Sequence, residues 1–283
     1  MDVGIGLPNA VPGTTGEQLT EWAKRAEGAG FSTLGTIDRV AYPNLDPLLS
    51  LTAAAAVTSK IGLTTSILIG PMRHSPAIVA KQTASIQKLS DGRMTLGIAL
   101  GGREDDYQAA GADFSSRGAD FDEMLPEMTA IWGGSSEISV GPDVTSKPPE
   151  LIIGGTVDAA YRRAAEHGDG WIAGGGPPEM FAAGKENLEA AWSEAGREGQ
   201  PRTLALAYFS LGDDGEANAN AYLKDYYAFL GEMADQIAGG AAKDADTVAG
   251  YVKGFEDAGC DELIIFPCSP DPEQVDLLAA AAL

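Results

Sequence analysis

The sequence predicts a (β/α)8 TIM barrel folded as a single domain. Eight short apolar runs alternate with amphipathic stretches from one end of the chain to the other. Strict alternation of this kind implies a parallel sheet with helical crossovers. No Gly/Ser linker or charge run divides the 283 residues. An α/β barrel of this length commonly forms one domain.

The elements follow in order. Strands are expected at residues 3–7, 31–37, 61–69, 94–100, 151–153, 171–173, 203–209 and 262–266. The third is rich in β-branched residues, which suit a pleated surface. Helices are expected at 16–29, 48–58, 77–89, 157–167, 179–195 and 244–258, with a last one from 272. In the first, Leu19, Trp22, Ala23, Ala26 and Ala29 recur at three- and four-residue spacing, and Gly30 ends it. The segment 101–117 reads as a long charged connection. The helix after it carries Phe121, Met124, Leu125, Met128, Ile131 and Trp132 on one stripe. Pro126 falls inside that stripe and predicts a kink or a late start. Residues 133–149 read as a loop or small hairpin, and 216–237 as mainly helical up to Gly239-Gly240.

Composition excludes several classes of partner. The net charge is −22, from 41 acidic and 19 basic residues, which argues against nucleic acid or an anionic membrane. No apolar run approaches the roughly 20 residues that span a bilayer. The two cysteines, Cys260 and Cys268, make no disulfide framework. With no secretory leader at the start, a reducing cytoplasm is the expected location. The two histidines, His74 and His167, lie far apart with no HxH or HExxH spacing, so no metal site is expected.

In this fold the site lies at the C-terminal ends of the strands. That places Asp38-Arg39, residues 66–74, Gly101-Gly102-Arg103 and Gly154-Gly155-Thr156 at the mouth. The Gly-Gly-Thr turn opens a helix, where backbone N–H groups favour an anion; a simple threonine cap is the plainer alternative. Asp38-Arg39 reads either as an active-site pair or as an ion pair closing the mouth. Arg103 and Arg117 flank the strand-four loop and read either as phosphate ligands or as surface ion pairs. The run Glu104-Asp105-Asp106 reads as a solvated loop rather than a metal site.

Several of these segments resemble the bacterial luciferase-like flavin-dependent monooxygenases, a family that includes deazaflavin-dependent oxidoreductases. The resemblance rests on AEGAGFSTLGTIDR (26–39), on the block 46–123 with its KQ helix, LSDGR turn, LGI strand and glycine pair, and on IGGTVDAAYRRAAEHGDGW (153–171). It implies a flavin-type cofactor at the strand ends, above a non-prolyl cis peptide at Ser66-Ile67. It implies a cofactor phosphate at the turn Gly155-Thr156, helped by Arg117, with Gly101-Gly102 beside the cofactor tail. Many members carry a histidine where this chain has Arg39. Where luciferase has a phosphate-binding arginine, this chain has Leu100, and Arg103 is the candidate substitute. Asp38, Arg39 and His74 are the candidate catalytic groups.

The first function implied is a two-component monooxygenase: reduced FMN from a partner flavin reductase, oxygen, and a small organic substrate. The second is hydride transfer with coenzyme F420, a deazaflavin, against which the acidic chain weighs because of that coenzyme's polyglutamate tail. The third is a non-catalytic flavin-binding homologue. Relatives often form homodimers through early helices, and the alanine-rich helix 48–58 is the candidate face.

Overall fold

Eight parallel strands close into a barrel in sequence order, β1 through β8, with β1 pairing β8. The computed structural model describes residues 1–283. The strands are β1 (Asp2–Gly6), β2 (Thr33–Thr36), β3 (Gly62–Ile69), β4 (Met94–Ala99), β5 (Glu150–Gly154), β6 (Gly170–Ile172), β7 (Arg202–Phe209) and β8 (Glu262–Pro267). The helices of the first half are α1 (Gly16–Ala29), α2 (Pro47–Val57), α3 (Pro76–Leu89), α4 (Glu104–Ala110) and α5 (Arg117–Trp132). Those of the second half are α6 (Asp158–His167), α7 (Pro178–Glu194), α8 (Gly215–Tyr226), α9 (Met233–Gly239), α10 (Ala245–Asp257) and α11 (Glu273–Ala282).

Local chemistry sets the helix starts. Thr15 and Gln18 form a reciprocal capping box on α1, and Gly30 at φ 98° ends that helix. Asp46 accepts from the amides of Leu48 and Leu49, with Pro47 in the first turn of α2. Ser75 and Pro76 do the same for α3.

The barrel interior is closed below and shaped above. At the N-terminal end Arg202 bridges Glu150 and Glu262, and Thr95 donates to Glu150. Burial raises the Glu262 carboxyl above its ordinary range, against the pull of Ser32 and Arg202. Higher up, Phe266 fills space left by two glycines. A Cβ on Gly6 would lie 2.2 Å from its ring, and one on Gly35 2.7 Å. The bottom is thus packed, and a ligand is left the C-terminal mouth.

One expectation is corrected and two are sharpened. Residues 104–110 form a short helix, α4, not a solvated loop. Three acidic residues in its first turn suit the positive end of the helix dipole, and Gly111 in the left-handed region closes it. α5 starts at Arg117 and passes through Pro126 unbroken. The stretch 216–237 is interrupted: α8 stops at Tyr226, a single 3-10 turn covers Ala228–Leu230, and Gly231 at φ 59° resets the chain before α9.

A close backbone approach marks the β3–β4 seam. A Cβ on Gly97 would lie 2.0 Å from the Thr65 carbonyl oxygen. Backbone cannot yield as a side chain can, so Gly97→Ala should cost about 1–3 kcal/mol of unfolding free energy in urea titration. Gly102→Ala, where nothing lies within 4 Å, should stay within about 0.5 kcal/mol. Equal stabilities for the two variants would refute this account of the seam.

Candidate functional site at the barrel mouth

The ends of β3, β4 and β5 meet around one bond. The peptide Ser66-Ile67 is cis, as the sequence comparison implied. The β3–β4 register shifts across it, between Thr65 and Leu68. A Cβ on Gly154 would meet Ile67 Cγ2 at 3.0 Å and Ala99 Cβ at 3.1 Å, so β5 ends directly beside that bond. A Cβ on Gly101, at φ 71°, would likewise meet Ile69 Cγ2 at 3.0 Å. The structure therefore brings Ser66, Ile67, Gly101 and Gly154 together. Ser66 Oγ is buried there with no protein partner.

Asp38 and Arg39 leave β2 on separate errands. They do not pair with each other, so the reading as a mutual ion pair is corrected; each finds its partner on another element. Asp38 Oδ2 accepts from the Ile69 amide at 2.9 Å and from Arg73 Nη2 at 2.9 Å, while its Oδ1 is buried without a partner. Burial raises its proton affinity, and Arg73 only partly offsets that. Arg39 Nε donates to Asp106 Oδ2 at 2.7 Å. Asp106 Oδ1 accepts from the amides of Val40 and Ala41, at 2.8 Å and 2.7 Å. Asp106 is wholly buried, the one member of the acidic run that turns inward. No local pattern points to this partnership, because the two residues are 67 positions apart.

An aromatic layer covers this row. The guanidinium of Arg39 lies 5.2 Å from the centre of the Tyr42 ring and 5.3 Å from that of Tyr226. Tyr208 and Tyr227 share a hydroxyl hydrogen bond of 2.7 Å. Burial pushes the phenols of Tyr208, Tyr222 and Tyr226 well above their ordinary range. The layer comes from β7, the β2 exit and the end of α8, and two open grooves lie elsewhere. One runs between α6 and α7, the other beside residues 134–145.

The remaining candidates separate. Thr156 is exposed and precedes α6, whose capping position is Val157, with no side-chain cap. The plain capping role is therefore excluded. Gly155, at φ 134°, has its carbonyl held by Trp171 Nε1 at 2.6 Å. Arg117 opens α5, lies 3.7 Å from the Phe114 ring centre and keeps a buried Nε without a partner. α5 is tied to α6 through Arg163, which pairs with Asp122 and donates to the Gly118 carbonyl. Arg103 is held by Asp105 over the ring of Phe229, and so belongs to the wall near α8. His74 is exposed and bonds the Ala110 carbonyl at 2.9 Å, bracing the end of α4 rather than facing the mouth. No group of three or more His, Cys, Asp or Glu side chains is arranged to hold a metal ion. No helix is long and apolar enough to cross a membrane.

The family model for luciferase-like monooxygenases matches residues 1–280. The chain belongs to that family. The luciferase-like proteins similar to it include an F420-dependent hydroxymycolic acid dehydrogenase of Mycobacterium tuberculosis. It is 27% identical, over 82% of this chain and 69% of its own. A 5,10-methylenetetrahydromethanopterin reductase of Archaeoglobus fulgidus is 27% identical over 75% of this chain and 65% of its own. Among solved structures, an F420-dependent secondary alcohol dehydrogenase superposes with a TM-score of 0.80 at 19% identity, covering 99% of this chain and 97% of its own. The monooxygenase RslO1 of Streptomyces bottropensis matches equally well, at 0.80 and 19%, over 99% and 98%. At that identity both show the barrel fold. The protein is thus an oxidoreductase of the luciferase-like class.

Two outcomes follow for the buried pairs. Removing one partner of a buried ion pair leaves an uncompensated charge, so Asp106→Ala should cost about 3–5 kcal/mol in denaturant unfolding. The double variant with Arg39→Ala should cost less than the two singles summed; simple additivity would show that the pair does not couple. For Asp38, the folded carboxyl binds its proton above the ordinary carboxylate range. Its contribution to stability is therefore fully present below the unfolded pKa of about 3.9 and is lost as pH rises through the raised value. Asp38→Asn lacks that term but leaves Arg73 with Asp46 as its remaining carboxylate at every pH. Its stability deficit against wild type should thus shrink as pH rises from about 4. A deficit that grows over that window would reverse the assigned sign.

Proposed function

We propose that the protein is a deazaflavin-dependent oxidoreductase, which uses coenzyme F420 to move a hydride to or from a small organic substrate. The observation that carries the reading is the strand-end cradle. Ser66 Oγ is buried and unpartnered at a cis peptide, walled by Gly154 and Gly101, where side chains would crowd Ile67 and Ile69. An unpaired polar atom in such a place suits a planar ligand with hydrogen-bonding edges. Deazaflavin is favoured over FMN by the F420-dependent dehydrogenase aligned over 82% of the chain. When bound, such a cofactor supplies a two-electron hydride donor or acceptor.

The residues of this chain have distinct tasks in that reading. Ser66 and Ile67 seat the ring system. Gly154, Gly155 and Thr156 present backbone N–H groups and a free hydroxyl to a phosphate, and the unpartnered Nε of Arg117 joins them. Gly101 and Gly102 leave room for the tail. Tyr208, Tyr222, Tyr226 and Tyr227 keep water out of the mouth.

Equilibrium fluorescence titration with coenzyme F420 and with FMN tests the reading. We expect F420 to bind, and Thr156→Val and Arg117→Ala each to weaken it about tenfold or more, as lost hydrogen bonds to a charged group do. Binding of FMN alone would return the protein to the two-component monooxygenase reading. Binding of neither would leave the family fold without its cofactor.

A further inference from the structure

Away from the mouth, α6 and α7 leave a groove of about 440 Å³ between them. The two helices run parallel, as successive helices of a barrel do. Sequence spacing sets the character of the groove. On α6, Asp158 and Glu166 stand eight residues apart, with Ala165 between them. On α7, Asn187 and Glu194 stand seven apart, with Ala190 and Ala191 between them. Each spacing is about two turns of helix, on the order of 10–12 Å. Polar groups therefore mark the two ends of the groove, and alanines its middle.

The carboxylates here lack counter-charges. The ion pairs nearby are Arg163 with Asp122, His167 with Glu166 at 3.8 Å, and Lys185 with Glu189; none includes Asp158 or Glu194. Glu166 and Glu194 stand in the last turns of their helices, where the dipole disfavours a carboxylate and favours a cation. Arg197 is committed to the carbonyls of Ala165 and Gly168. Arg162 lines the groove but is shared with α5, where Arg163 and, to a lesser degree, Arg162 hold the Asp122 carboxyl below its ordinary range. An anionic ligand would thus face three carboxylates and one shared guanidinium.

Acidity alone marks no site, but Tyr161 adds a second feature. Its side chain is only 4% exposed and packs against the Trp171 ring, 5.5 Å between centres. A Cβ on Gly184 would lie 3.1 Å from its hydroxyl oxygen, so the hydroxyl turns toward α7. The side-chain hydrogen bonds of this region, Arg163 to Asp122 and Trp171 to Gly155, leave it out. A phenol so enclosed ordinarily has a partner, and the groove it lines is its open side.

We propose that the α6–α7 groove binds an aliphatic polyamine. One ammonium takes the upper end, where Asp158, the Tyr161 hydroxyl and the Asn187 side-chain carbonyl offer an oxygen for each of its three N–H donors. The methylenes lie along Ala165, Ala190 and Ala191. A second ammonium meets Glu166 and Glu194 at the lower end, beside the two helix C-termini. An extended spermidine matches this two-turn span. The groove is separate from the mouth, so binding here requires neither cofactor nor turnover.

Isothermal titration calorimetry of spermidine on the full chain at low salt tests this. One saturable site is expected, and n-butylamine, with a single ammonium, should bind about tenfold or more weakly. The paired variant Glu166→Gln/Glu194→Gln should weaken spermidine about tenfold, as the loss of two surface ion pairs does. Tyr161→Phe should weaken it about threefold or more without lowering Tm, because the hydroxyl it removes has no partner in the protein. The control Asp213→Asn/Asp214→Asn removes the same two charges from exposed positions outside the groove, and should leave affinity within about twofold of wild type. Uptake of spermidine without saturation, or no uptake, overturns the proposal. So does an equal loss in the control, or unchanged affinity in either groove variant.

Discussion

The contact between Arg39 and Asp106 is the constraint on which the mouth depends. One fully buried carboxylate takes three donors: a guanidinium and two consecutive amides at the exit of β2. Each bond alone is modest. Together they leave Asp106 one position, because any other strands a charge in apolar surroundings. That position fixes α4 against the β2 exit. Arg39, so anchored, offers its flat face to Tyr42 and Tyr226, and this sets where α8 can end. A seven-residue helix with little apolar surface of its own is thus held by one buried ion pair and by Tyr107, whose hydroxyl donates to the Leu100 carbonyl.

Beside this polar wall stands one made of backbone. At the ends of β3, β4 and β5 the chain approaches itself so closely that Gly97 and Gly154 leave no free space for a Cβ. Small residues bring the strand termini together around Ser66-Ile67, and the same smallness exposes peptide groups to whatever sits above them. The two walls differ in kind. The glycine wall contributes shape and N–H donors that no substitution can tune finely. The arginine wall contributes charge and orientation, and single side chains alter it.

That division also explains what the sequence revealed. The eight strands were legible because each is an apolar run bounded by glycine, proline or aspartate, and their alternation with helices admits few architectures. The glycine-rich turns were legible for the same reason. α4 was not: Glu-Asp-Asp reads as solvated loop, and only the burial of Asp106 and Tyr107 betrays a packed face. The partners of Asp38 and Arg39 were equally hidden, since ion pairing across 35 and 67 residues leaves no local pattern. His74 misled through composition. A lone histidine near a strand end suggests chemistry, yet its backbone at φ 55° turns the ring outward to the end of α4.

Arginine at position 39 carries one more consequence. It is a group that stays protonated across the working pH range. His74 is exposed and bound to a carbonyl. The buried phenols of Tyr208, Tyr222 and Tyr226 are pushed upward, away from the range where they would release a proton. Asp38 moves the other way relative to need: burial raises a carboxyl from its low ordinary range, and its unpartnered Oδ1 is free to take a proton. Fixed charge and raised proton affinity thus sit on two adjacent residues. Arg39 holds position through Asp106, while burial raises the Asp38 carboxyl beside it against the pull of Arg73.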